Sequence, residues 1–213
     1  MKTDDLINLL ATHTKPVKRT HLRNTILAAV AAGAAATLCL MLLTLGTPEA
    51  VPGSEDLAIK IVYLGLTFGL VVAGVSFLLK AARPGKILPK PLIIIALLPL
   101  VVMVAAGATL LSSHPSTWNA MLFGPQWVAC LLCIPFFALL PFTALIWALR
   151  KEAPTSPGWT GAIAGLVAGA IGAATFTLHQ PSSSIPFMVL WYLGPIVFCT
   201  LIGALLGPRL LRW

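Results

Sequence analysis

Six apolar runs, each close to twenty residues long, constrain this chain more than any other feature it has. They are Ile26–Leu45, Ile59–Leu79, Leu92–Leu111, Val128–Leu149, Gly161–Leu178 and Phe187–Leu206. A helix needs about 20 apolar residues to cross the hydrocarbon core of a bilayer, since each residue adds about 1.5 Å. The runs are continuous rather than alternating, which excludes the period-two strands of a membrane barrel. Helices satisfy their own backbone hydrogen bonds in lipid, so the pattern predicts an all-α polytopic bundle of six transmembrane helices. Composition agrees: 58% of the 213 residues are hydrophobic, only 9% are charged, and mean hydropathy is +0.95. A soluble domain of this size lacks the polar cover that such a surface requires.

A net charge of +8 raises the question of nucleic acid, but the placement of the basic residues answers it differently. They occupy short connectors, without the aromatic or motif context of a nucleic-acid reader, so no direct nucleic-acid partner is expected. Lys2, Lys15, Lys18, Arg19 and Arg23 precede the first run. Lys80, Arg83, Lys86 and Lys90 mark the second connector, Arg150 and Lys151 the fourth, and Arg209 and Arg212 the tail. The first, third and fifth connectors contain neither Lys nor Arg. Only Lys60 departs, at an edge where its stem can snorkel toward the interface. Thirteen of the fourteen basic residues thus predict both termini on the cytoplasmic side. In a bacterial cell, that means a multi-pass protein of the inner membrane. Ile26–Leu45 reads as a retained span, because a cleaved signal has a shorter leading segment and an apolar run of about 7–15 residues.

The expected organisation is a cytoplasmic N-terminal segment (1–25), one transmembrane domain (26–206) and a cytoplasmic tail (207–213). Thr3 reads as an N-cap with Asp4 and Asp5 in the first helical turn, followed by Leu6, Ile7, Leu9 and Leu10. Pro16 ends this helix, which is too short to stand alone in water and needs a lipid or protein surface. Within the spans, Gly161, Gly165 and Gly169 recur every four residues, as do Gly65 and Gly69. Such stripes let helices approach closely, either within the chain or in a homodimer. Pro135 and Pro141 are expected to kink the fourth span.

Chemistry is sparse. The spans hold no Asp, Glu, Arg or His, and Lys60 sits only at a margin, which argues against an ion pump or proton-coupled carrier. No P-loop, G-x-S-x-G or H-E-x-x-H pattern is present, so neither an enzyme nor a cofactor site is expected. Cys39, Cys130, Cys133 and Cys199 all lie in apolar runs, where a thiol serves as a small hydrophobic filler. Cys130 and Cys133 share one helical face in a C-x-x-C pattern, too few ligands for a zinc site by themselves. Cys130 falls in the first turn of the fourth span, at its outer end. His114 and His179 lie in outer connectors, and with Cys130 they form the candidate set for a soft metal.

Several stretches, taken in order, resemble the NrsF family of membrane anti-sigma factors. They are Met1 to Ile7 with Pro16 and Val17; Gly124, Trp127 and Cys130; Ala153 to Thr155; Gly161 to Ala170; His179 with Pro181; Trp191 and Tyr192; and Gly207 to Trp213. The resemblance implies six spans in the inner membrane and negative regulation of an extracytoplasmic-function sigma factor. That factor is held at the membrane until a stress, heavy metals in some members, releases it. It also implies sensing by two outward-facing cysteines. One matches Cys130; the other position, just after His179, is Gln180 here, so the pair is incomplete and thiol-based sensing is in question. On this reading Cys130, His179 and Gln180 are the sensing positions. Asp4, Asp5, Leu6, Leu9 and Leu10 are the expected contacts to the sigma factor, with the lipid bilayer as the other partner. The alternatives are a small membrane transporter or metal-handling protein, and an assembly subunit with no signal input.

Overall fold

The computed structural model describes residues 19–46, 54–81, 89–124, 127–151, 156–179 and 184–211. Every regular element among them is helical: α1 (Arg19–Leu45), α2 (Ser54–Ala81), α3 (Pro89–Ser112), a 3-10 turn (Pro115–Thr117), α4 (Trp118–Leu122), α5 (Trp127–Arg150), α6 (Pro157–His179) and α7 (Ile185–Leu210). Six of these, all but the 3-10 turn and the short α4, are long and apolar enough to cross a membrane. The six expected spans are therefore present, each extended by a few residues. The helices begin and end in the polar flanks, because backbone pairing does not stop where hydropathy falls. Thus α1 starts at Arg19 rather than Ile26, and α7 continues to Leu210, into the stretch expected to be tail. Gly46, at φ 77°, ends α1 in the left-handed conformation that glycine adopts without a Cβ penalty.

The smallest side chains decide which helix lies at the centre. Between Gly161 and Ala174, α6 is built mainly of Gly and Ala, and from Thr160 to Thr177 it is buried on nearly every face. Neighbours can approach such a helix from all sides, and α7, α5, α2 and α1 all pack against it. The closest approach is to α7. A Cβ placed on Gly161 would strike Gly203 O and stand 2.6 Å from Gly207 Cα. One on Gly165 would strike Cys199 O, and one on Gly169 would stand 3.1 Å from Cys199 Cβ. The glycine stripe is consumed within the chain, so this stripe is not the surface of a homodimer. The stripe on α2 divides: Gly69 packs against Leu98 of α3, whereas Gly65 faces open space.

Pro135 and Pro141 lie inside α5, which continues through both as a single helix. α3 is peripheral, touching α2 and α7, with most of its surface open. Large apolar side chains such as Leu43, Phe68, Val104 and Leu205 are exposed around the bundle. In lipid this is the expected outside of a membrane domain, where hydrocarbon is the solvent. Five threonines are buried among the described residues: Thr37, Thr67, Thr160, Thr175 and Thr177. Each donates to the carbonyl four residues earlier in its own chain, at 2.7–3.0 Å. No line of buried charge crosses the core among the described residues.

Candidate functional site

The bundle has two ends of different chemistry. Arg23, Lys80, Arg150, Lys151 and Arg209 lie toward one end, and His114 and His179 toward the other. At the basic end, Arg150 Nε donates to Leu210 O at 2.6 Å, placing a cation on the last carbonyls of α7 where the helix dipole is negative. Leu211 follows and is buried with Ile26, Leu78, Leu149 and Ile163, so the end of α7 is fastened beside the start of α1. Lys151 Nζ lies 3.7 Å from the Trp147 ring centroid, a cation–π contact on an otherwise exposed tryptophan.

The histidine end contains the sensing candidates. Cys130 sits in the first turn of α5, as expected, but it is 0% exposed. It belongs to a buried cluster with Met41, Tyr63, Ile134, Phe187 and Tyr192. The reason is rotational: the first turn of α5 turns this position toward the core and leaves Val128, Leu131 and Leu132 outside. Cys133 is only half-buried, and the described cysteines, which are all four, form no disulfide.

The chain's two tyrosines, Tyr63 and Tyr192, meet in this cluster with ring centroids 6.0 Å apart. Tyr63 donates its hydroxyl to Ile185 O at 3.0 Å, spanning α2 to the start of α7. Tyr192 is 1% exposed, and its phenol lies near the Cys130 thiol and the Thr177 hydroxyl. Yet the Tyr192 hydroxyl meets no partner in hydrogen-bonding geometry. These tyrosines were not singled out from the sequence, although hydroxyl-bearing rings inside apolar runs are a usable signal, because each must find a partner when buried.

The other candidates are placed differently. His114 caps the 3-10 turn: its Nδ1 lies 3.0 Å from Ser116 Oγ and accepts from Ser116 N at 3.5 Å. His179 is the last residue of α6, half-buried, with an Nδ1 that is buried and unpartnered. Among the described residues no three His, Cys, Asp or Glu side chains converge, so Cys130, His179 and His114 are not gathered as a preformed metal site. Gln180 lies outside the described residues, as do Asp4, Asp5, Leu6, Leu9 and Leu10.

A family profile described as negative regulator of sigma F, NrsF, matches residues 10–213. The chain belongs to the NrsF family. Two curated members align over the whole of this chain and the whole of their own length. The probable anti-sigma-F factor NrsF of Azospira oryzae is 31% identical over 213 residues. The anti-sigma-F factor NrsF of Caulobacter vibrioides is 35% identical over 226 residues. No solved structure matches this chain. Within the NrsF family frame, the six-helix bundle and the membership expected from the sequence are both in place. The buried position of Cys130 is what the structure adds.

Proposed function

We propose that this NrsF-family chain is an inner-membrane anti-sigma factor. It holds an extracytoplasmic-function sigma factor at the cytoplasmic face and releases it under an envelope or metal stress. One observation carries the reading: the chain aligns from end to end with two anti-sigma-F factors. The layout of the chain supports it. Most of its residues lie in helices suited to lipid, leaving the residues before α1, the short basic connectors and the tail to meet a soluble partner. The distribution of Lys and Arg supports a cytoplasmic position for the basic end. The proposed work is binding rather than catalysis, in keeping with the regulatory role in the names of both relatives.

The test is co-isolation of the sigma factor with the tagged chain from detergent-solubilised membranes, paired with transcription from a sigma-dependent promoter in a deletion strain. The expected results are a stoichiometric complex and raised transcription. Absence of the complex together with unchanged transcription overturns the proposal.

A further inference from the structure

Ser184 stands at the N-cap position of α7, where a serine hydroxyl ordinarily accepts from a helix N–H. Here Ser184 makes no cap bond, and its Oγ donates instead to Met121 O of α4 at 2.7 Å. Trp191 Nε1, two turns further along α7, donates to Leu122 O at 2.8 Å. Two successive carbonyls at the end of α4, which a short helix leaves unpaired, are thus both occupied from α7. The Phe123 ring stands edge-on to both Trp127 and Trp191, whose own centroids are 5.0 Å apart. A Cβ on Gly124 would stand 3.1 Å from the Phe187 ring, so a larger residue there would press the ring back by a few tenths of an ångström. Phe187 lies in the same buried cluster as Cys130.

We propose that Pro115–Gly124 is a lid over Cys130, held shut by Ser184 and Trp191, and that aqueous reagents reach the thiol only when it lifts. The lid hangs from α3 through Trp118, whose Nε1 donates to Leu110 O at 3.0 Å. α3, from which the lid hangs, packs on only part of its surface, against α2 and α7. Beneath the lid, the Tyr192 hydroxyl is buried beside the thiol and near the Thr177 hydroxyl, without close hydrogen-bonding geometry to either. Such a group gains a partner from whatever enters, so opening to water or a polar reagent has a favourable counterpart inside. The inference goes beyond the anti-sigma reading and holds whatever Cys130 does.

The experiment uses the full chain in permeabilised membrane vesicles, with Cys39, Cys133 and Cys199 replaced by Ala so that Cys130 is the one thiol. Labelling by a charged maleimide added to both faces is followed in time, with denatured protein as the upper limit. The parent is expected to label slowly. Ser184→Ala and Trp191→Phe, each removing one hydrogen bond while keeping most of the packing, are expected to speed labelling roughly five-fold each. Arg150→Lys, at the opposite end, controls for general loosening and is expected to leave the rate unchanged. Fast labelling of the parent overturns the lid, as does an unchanged rate in both lid variants. Equal acceleration by Arg150→Lys also overturns it, because the bundle as a whole would then be opening.

Discussion

The Thr37 hydroxyl of α1 lies 3.3 Å from the carbonyl oxygen of Phe137 in α5. That carbonyl is four residues before Pro141, which has no N–H to offer it. Thr37 also donates to Gly33 O at 2.7 Å, so one hydroxyl is shared between its own helix and the gap in its neighbour's. Gly33 completes the crossing: a Cβ there would stand 2.7 Å from Pro141 Cα. A proline defect in one helix is thus met by a small residue and a hydroxyl in another, which is how membrane bundles tolerate such breaks. Thr37→Val keeps the shape and removes the donor, leaving a buried carbonyl unsatisfied at a cost of about 1–3 kcal/mol. Thermal unfolding in detergent should show a lower midpoint for Thr37→Val and near-parental behaviour for Thr37→Ser.

The glycines of α6 and α2 make opposite predictions from one chemical change. Gly161→Ala and Gly165→Ala drive a methyl into the backbone of α7 and should destabilise the bundle by about 1–3 kcal/mol each. Gly65→Ala adds a methyl in open space and removes a flexible residue from a helix, so it should be neutral or stabilise by up to about 1 kcal/mol. Thermal midpoints measured side by side would decide it. Equal effects at Gly65 and Gly165 would contradict the packing described.

Topology is testable with reporters active only in the cytoplasm. Fusions after Lys86, after Lys151 and at the C-terminus should be active, while those in the acidic first connector or after His179 should be silent. An active fusion in either of the last two positions would overturn the proposed orientation.

The N-terminal segment is the proposed docking element for the sigma factor. Asp4, Asp5, Leu6, Leu9 and Leu10 fit a short amphipathic helix of the kind that gains stability in a partner's groove. Deleting residues 2–14 should raise sigma-dependent transcription while the amount of protein in the membrane stays constant. Continued repression would move the docking site to the basic second connector.

The proposed metal response is expected to turn on Gln180, which stands where the family resemblance implies a second cysteine. An amide neither forms a disulfide nor binds soft metals well, and Cys133 shares a helix with Cys130, so linking those two would not draw separate elements together. Sigma-dependent output should respond weakly or not at all to cadmium in the parent, and more strongly in Gln180→Cys. A strong parental response abolished by Cys130→Ser would show that one thiol suffices.

Lipid as solvent explains how much was legible beforehand. Apolar length and the spacing of Lys and Arg are properties of single segments, and they determined the six helices, their approximate limits and the expected orientation. The glycine stripe of α6 could be read from the sequence as a packing surface. Its partner could not, because the small residues of α7 that meet it, Cys199 and Gly203, look no different from lipid-facing ones until the helices are assembled. The same holds for Cys130. Its place in the first turn of α5 followed from hydropathy, but whether that turn faced water, lipid or core depended on helix rotation. Every face of these helices is apolar, so no amphipathic pattern reported the rotation. Tertiary contacts decided it: the thiol is buried in one cluster with Phe187 and Tyr192, and Ser184 and Trp191 fasten the connector at that end.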